Sequence, residues 1–271
     1  MSKNFGEDLN MWDKLNKITD EYKQLNLQEV VDYEKFCIIS IMWHSTKIEG
    51  CALNETDTRV LLEYDITATG KPLKDHLMIK DHYAAFMFMK QQAQAKQKIS
   101  VDLIQKINGL VMQNTGAIVN TVLGSFDSSK GDFRLVQVFV DRKYFPDFKK
   151  APSLTAKLID SVNEKLDKVQ NEDVLKLAAD LHYNFVNIHP FADGNGRTAR
   201  LLMNYVMLYH GEPLIKIFSE DRAEYINALN ETDKKKDPGI FREFIARQQI
   251  KFLNEEISRY KELEGDYKIE I

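Results

Sequence analysis

The chain is poor in cysteine and proline, with 2 and 6 among its 271 residues. Cys37 and Cys51 each sit beside apolar residues, and no C-x-x-C spacing occurs. That excludes a disulfide framework or a paired-cysteine zinc site and points to two buried thiols in a reducing compartment. A basic excess is also missing: 37 Lys and Arg face 41 Asp and Glu, for a formal charge of −4. A general nucleic-acid binder would need positive charge to neutralise phosphates, so that class is excluded, though a local anion site is not. Long apolar runs are absent. The most apolar stretch, Phe36 to Trp43, includes Ser40 and falls well short of the roughly 18 residues that span a membrane. The opening MSKNFGEDLN lacks the apolar core of a secretory signal. The expectation is a cytoplasmic protein with no membrane partner and no nucleic-acid partner. Neither a G-x-x-x-x-G-K-[ST] phosphate loop nor an H-E-x-x-H pair occurs.

What is present is helical pattern. At 44% hydrophobic and 29% charged, the composition is that of a globular chain able to bury a core without staples. Proline-free stretches rich in Leu, Lys, Glu, Gln and Ile predict helices over 7–25 and 29–49, separated near Asn26. Asn54, with Asp57 three residues on, caps a helix running to about Asp65. A turn at Thr69-Gly70-Lys71-Pro72 follows. Residues 75–92 leave little polar face, which predicts a central helix buried on most sides. Ser100 caps a helix over 101–114. Gly124, Gly131 and Ser128-Ser129 then interrupt the pattern, and the alternation from Phe133 to Val140 gives the best strand candidate, with a turn near Asp141-Arg142-Lys143. Helices resume at 152–168, 172–187, 197–210, 219–231 and 240–262. Lys234-Lys235-Lys236 is a solvated charge run at a loop. The fold class is all-α with one small β-hairpin.

One segment concentrates chemistry: His189-Pro190-Phe191-Ala192-Asp193-Gly194-Asn195-Gly196-Arg197-Thr198-Ala199-Arg200. It lies between two helical patterns, so Gly194 to Gly196 form a loop feeding a helix N-terminus. Free N–H groups and the helix dipole make an anion site there. Arg197 and Arg200, three apart, bring two guanidinium forks to one region. Asp193 offers a hard oxygen ligand suited to Mg²⁺ that keeps waters and shares phosphate oxygens. His189 titrates near neutral pH just before the anion site. Gly194-x-Gly196-x-x-Ala199 formally matches a dinucleotide fingerprint, but the preceding element is a helix rather than a strand. A plain Pro/Gly turn would not call for His, Asp, Asn and two Arg together.

The segment matches the Fic signature H-P-F-x-[DE]-G-N-G-R-x-x-R at every specified position. Gly131-Asp132-Phe133-Arg134, Val136 to Val140 and Pro146 are similar to the family's flap, and the likeness runs over about 100–250. That divides the chain into a helical region 1–99, a Fic-like core 100–250 and a tail 251–271. The resemblance implies transfer of AMP from ATP to a Ser, Thr or Tyr hydroxyl of a target protein, with pyrophosphate leaving. His189 would be the general base, Asp193 the Mg²⁺ ligand, and the Gly194, Asn195 and Gly196 loop the stabiliser of the α-phosphate. Arg197 and Arg200 would grip the β- and γ-phosphates. Phe191 would anchor the loop. Tyr225 would pack on adenine, with Asp233 near it, and the flap residues Val136, Gln137, Val138 and Phe139 would pair with an extended target segment. A homodimer is expected only because relatives often dimerise. Gly196 stands where a kinase branch has lysine, which favours AMP transfer; a phosphocholine-transferring branch shares the signature.

Upstream, Ser45-Thr46-Lys47-Ile48-Glu49-Gly50 matches the family's inhibitory pattern [ST]-x-x-x-E-[GN]. Alone it is a helix end with Gly50 as the left-handed residue. A carboxylate there opposes the dipole and needs a cation; the resemblance supplies Arg200. A Glu49–Arg200 pair would fill the γ-phosphate site and leave ATP misaligned, so the expectation is an autoinhibited enzyme with an N-terminal inhibitory helix. Two other readings stand beside it: removal of AMP, with Glu49 positioning a water, and a nucleotide-binding module with vestigial catalysis. About 30 residues follow Phe241, too few for the winged-helix domain of many relatives, so a DNA-binding role is not expected.

Overall fold

Asn10 opens the first helix by accepting hydrogen bonds from the N–H groups of Trp12 and Asp13. The computed structural model describes residues 10–27, 32–140 and 143–267. Residues 7–9 and 29–31 of the predicted helices, and Asp141 and Arg142 of the predicted turn, lie outside that range. Among the described residues the chain folds as α1 (Met11–Gln24), α2 (Tyr33–Ile48), α3 (Glu55–Tyr64), α4 (Leu73–Gln94), α5 (Val101–Val111), β1 (Ile118–Thr121), β2 (Gly124–Asp127), β3 (Phe139–Val140), β4 (Lys143–Tyr144), α6 (Ala151–Leu166), α7 (Glu172–Ile188), α8 (Asn195–His210), α9 (Arg222–Lys235) and α10 (Pro238–Tyr267). The all-α class with a small β element is what the structure shows. No helix among these residues is long and apolar enough to cross a membrane.

The caps explain where helices begin. Asn54 and Asp57 form a reciprocal capping box on α3, at 2.7 and 3.1 Å, and Ser100 accepts from the N–H of Leu103 on α5. Pro238 is the first residue of α10, where its missing N–H costs nothing. Lys234 and Lys235 belong to the last turn of α9, paired with Glu231, rather than to a loop.

Four expectations need correction. The central helix is α8, in which all residues from Arg197 to Met207 are buried. The helix expected over 75–92 instead turns Lys80, Ala84 and Met87 outward. The polar Asn195, Arg197, Arg200 and Asn204 of α8 each find partners in the interior. The predicted strand Phe133–Val140 shrinks to Phe139–Val140, which pairs with Lys143–Tyr144. A second hairpin, Ile118–Thr121 with Gly124–Asp127, lies where no strand was expected. It is short and largely exposed on both faces, so no alternation marks it. Finally, α8 starts at Asn195, so Asn195 and Gly196 form its first turn rather than the preceding loop.

The main core takes in Leu15, Met42, Phe86, Ile104, Phe185, Phe191, Tyr205 and Phe244. It thus joins elements on both sides of residue 99. The outcome relevant to function is that α2, α4 and α5 pack against α8 and the motif loop, while β3–β4 and α9 rim the same opening.

Candidate active site

His189 precedes Pro190, and a residue before proline is pushed out of the right-handed helical region. Helix α7 therefore ends at Ile188, and His189 takes the left-handed conformation, φ 51° and ψ 60°. Its Nδ1 lies 3.3 Å from the Val186 carbonyl oxygen. A carbonyl can only accept, so Nδ1 carries the proton and Nε2 keeps its lone pair. The Phe145 ring stacks on the imidazole, with centroids 3.9 Å apart and planes 20° from parallel. Burial presses the His189 pKa down to about 4, with the Arg134 cation adding to the effect. At neutral pH the ring is an uncharged acceptor of protons.

The loop after His189 is locked by its own hydrogen bonds. Phe191 is buried and stacks on Phe133, centroids 5.5 Å apart. The Asn195 side chain accepts from the Phe191 N–H (3.1 Å) and donates to the Phe191 carbonyl (2.8 Å), so it staples the loop. Asn108 on α5 donates to the Asp193 carbonyl and to Thr198 Oγ1. Gly194 caps α8 in the left-handed region, φ 76°, where a Cβ would sit 2.9 Å from Asn108 Nδ2. Asp193 accepts from the Gly194 N–H at 2.5 Å, and its carboxyl is largely exposed.

The two arginines diverge. Arg197 is buried under the loop, donating to the Val111 carbonyl at 3.3 Å and lying 3.7 Å from Asp193 Oδ1. Arg200 points toward α2: Nε donates to Ser45 Oγ (2.8 Å), and Nη2 to the Ser45 carbonyl (2.9 Å) and to Glu49 Oε1 (2.6 Å). Ser45 Oγ also lies 2.9 Å from Nε2 of His82, a buried imidazole kept neutral by burial and by both arginines. Burial alone would raise the Glu49 pKa, but Arg200, with Arg197 and Arg222, outweighs it and holds the carboxyl below its usual range. The same pair holds the Arg200 pKa up. About a third of the Glu49 side chain faces open space, yet its carboxylate packs over Gly196. A Cβ at Gly196 would come 2.6 Å from Glu49 Oε1. Arg222 donates from Nε to the Ile48 carbonyl at 2.8 Å, tying down the end of α2.

These groups share one cavity of about 770 Å³, lined by Glu49, His189, Gly196 and Arg200 at one end and by Tyr225, Ile226, Leu229 and Asp233 at the other. Tyr225 is buried with its hydroxyl 3.1 Å from His182 Nε2, and Lys143 of β4 reaches across to Asp233 at 3.7 Å. Of the flap residues, Phe139 is exposed on β3, its ring 6.0 Å from that of Tyr144; Val136, Gln137 and Val138 precede the strand. Asn195, Arg197, Asp193 and the flap residues 136–139 are not among the described residues that line the cavity. A smaller cleft of about 250 Å³ beside α1 carries none of the motif residues. His82, Asn108 and Arg222 were not singled out from sequence. Asn108 did leave a signal, a polar residue on the apolar face of Ile104, Ile107 and Val111.

Arg200 Nη1 and Arg197 Nε are buried with no hydrogen-bond partner among the described residues. By helix geometry the N–H groups of Asn195, Gly196 and Arg197 lack partners within α8. Comparison with known proteins agrees with this site, for residues 98–207 match the family model described as the Fic/DOC family. Residues 98–207 are a Fic/DOC segment of the chain.

The Fic relatives include protein adenylyltransferase fic-1 of Caenorhabditis briggsae, 32% identical over 70% of this chain and 35% of that protein. Another is protein adenylyltransferase Fic of Nematostella vectensis, 32% identical over 76% of this chain and 45% of that protein. The chain therefore spans less than half the length of these curated relatives. Among solved structures, a Fic-domain signaling protein of Bacteroides thetaiotaomicron superposes with TM-score 0.76 at 26% identity, covering 89% of this chain and 95% of that one. Fic-1 of Caenorhabditis elegans superposes with TM-score 0.74 at 26% identity, covering 93% and 72%. The likeness to the solved structures thus takes in the N-terminal helices as well as the Fic segment.

Proposed function

We propose that the protein is an autoinhibited protein adenylyltransferase, moving AMP from ATP to a Ser, Thr or Tyr hydroxyl of a target protein. The observation that carries this reading is the His189 Nε2 lone pair beside Gly196 and Arg200 in one cavity. Nε2 accepts the proton of the target hydroxyl, and the oxygen bonds to the α-phosphorus. The bond from that phosphorus to the bridging oxygen breaks, and pyrophosphate leaves. The first-turn N–H groups of α8 face the charge developing at the α-phosphate. Arg200 Nη1 and Arg197 Nε supply donors for the outer phosphates, and the cavity end at Tyr225, Leu229 and Asp233 takes the adenine.

The exposed Asp193 carboxylate fits a Mg²⁺ held jointly with phosphate oxygens and water, which would neutralise phosphate charge. No group of three His, Cys, Asp or Glu able to hold a metal alone occurs among the described residues, in keeping with an ion shared with nucleotide. Glu49 occupies Arg200 Nη2 and so removes one cationic donor from the γ-phosphate; this is the brake. The target segment pairs by its main chain with the flap at β3, at Phe139, beside Val136, Gln137 and Val138. Two unpaired, buried cysteines support a reducing, cytoplasmic location.

The names of the Fic relatives support the reaction class. The test uses ATP labelled at the α- or the γ-phosphate, Mg²⁺ and the Glu49→Gly protein with a target-containing lysate. Protein-bound label from the α-position alone is the expected result. Label from the γ-position would mean kinase chemistry and overturn the reading.

A further inference from the structure

Arg134 is among the largest fully buried side chains of the molecule, 0% exposed. A buried guanidinium is costly unless every donor is used, and among the described residues no carboxylate hydrogen-bonds it. Its fork instead meets three main-chain carbonyls: Nε donates to His189 (2.8 Å), Nη1 to Val136 (2.8 Å) and Nη2 to Pro146 (2.6 Å). Its own N–H donates to the Pro190 carbonyl at 3.1 Å. One residue, by its side chain and its own N–H, therefore fastens the flap, on both flanks of the β3–β4 hairpin, to the two residues that open the motif loop. This also explains why 133–138 is not a strand: the segment wraps around its own arginine.

The fastening matters because the His189 ring is otherwise loosely held. Among the described residues the ring's one hydrogen bond, to Val186, is long at 3.3 Å. What fixes the ring plane is the stacked Phe145, and what fixes Phe145 is the flap backbone. Pro146 next to it is gripped by Arg134, and Phe145's own carbonyl accepts from Gln137 Nε2 at 2.7 Å. Neither Arg134 nor Gln137 is among the described residues that line the cavity. A lysine could not span three carbonyls, because it lacks the planar fork.

We propose that Arg134, with Gln137, is a positioning brace that holds the imidazole of His189 at the angle needed to accept the target's proton. The inference rests on the reading of His189 as the base. The experiment places Arg134→Lys in the Glu49→Gly protein and measures three things: transfer from α-labelled ATP, ATP binding by equilibrium dialysis, and the ¹⁵N resonances of the His189 ring. Expected are a loss of about 10²-fold in transfer rate, as for a reacting group misplaced by about 1 Å, ATP affinity within about twofold, and displaced ring resonances. Transfer at the parent rate with unmoved resonances overturns the brace, as does a loss of ATP binding equal to the loss of transfer. If the Glu49→Gly parent transfers no label, the proposed function fails, and the ring resonances still decide the brace. Should Arg134→Lys not fold, the exposed Gln137→Leu serves instead. A loss of about 10-fold with shifted ring resonances supports the brace, and unmoved resonances overturn it.

Discussion

The floor and the ceiling of the cavity are built from different kinds of contact. The floor, from His189 through the first turn of α8, is held by hydrogen bonds that no ligand needs to break: Asn195 to Phe191, Asn108 to Asp193 and Thr198, and Arg134 to His189. The ceiling, the end of α2, is held by Glu49 and Ser45 on Arg200 and by Ile48 on Arg222, and of these Glu49, Ile48, Arg200 and Arg222 line the cavity. On the proposed reading the floor receives the phosphates and the ceiling competes with them for Arg200. Activity and restraint thus divide, on the same reading, between the motif loop and an ordinary helix end.

Changes to the two layers should move activity in opposite directions. His189→Ala in the floor removes the proton acceptor and should cut label transfer by about 10²–10⁴-fold, read in the Glu49→Gly background where the brake is absent. Glu49→Gly in the ceiling should raise transfer by about 10²-fold, since it lets the phosphates align. An unchanged rate in that variant would collapse the distinction between the layers.

Buried histidines in both parts of the fold also set a pH limit. Burial presses the pKa values of His44, His182 and His189 down to about 4, about 3 and about 4. Below the ordinary histidine range near 6.5 the unfolded chain takes up protons that the folded one does not. The stabilisation is therefore whole above about pH 6.5 and is lost as pH falls toward 4. The melting temperature should drop clearly between pH 7 and 5, a window above the range where most carboxylates titrate; a flat profile would contradict the burial of these rings.

Where the layers touch, Gly196→Ala pushes a Cβ against Glu49. It should loosen the Glu49–Arg200 pair and raise ATP affinity by about fivefold, close to ~1 kcal/mol. No such gain is expected when Glu49→Gly is already present, which equilibrium dialysis would show. The smallest effect belongs to Tyr225→Phe, which removes the hydroxyl near His182 and should cost about 1 kcal/mol of stability, measured by denaturant unfolding.

The same division governs what was legible in the sequence. The floor was read almost residue by residue, because twelve consecutive positions hold its chemistry and local rules place them. His-Pro ends a helix, and Gly-x-Gly opens the next. Asn195 is the exception, for its side chain closes the loop that its backbone opens toward the anion. The ceiling was read only in part. The Glu49–Arg200 pair spans 151 positions and emerged from a motif pattern, while His82 on Ser45 and Arg222 on Ile48 follow no local rule. The flap was least legible. Its alternation from Phe133 to Val140 looks like a strand, but a buried Arg134 overrides propensity by claiming the carbonyls a ladder would need. The enclosure of α8 was hidden because polar residues with buried partners look like surface.

The most direct test of the account compares three proteins given Mg²⁺ and ATP labelled at the α-phosphate: wild type, Glu49→Gly, and Glu49→Gly with His189→Ala. The account predicts strong protein-bound label with Glu49→Gly, weak label with wild type and none with the double variant. Equal label in wild type and Glu49→Gly, or undiminished label in the double variant, would contradict it.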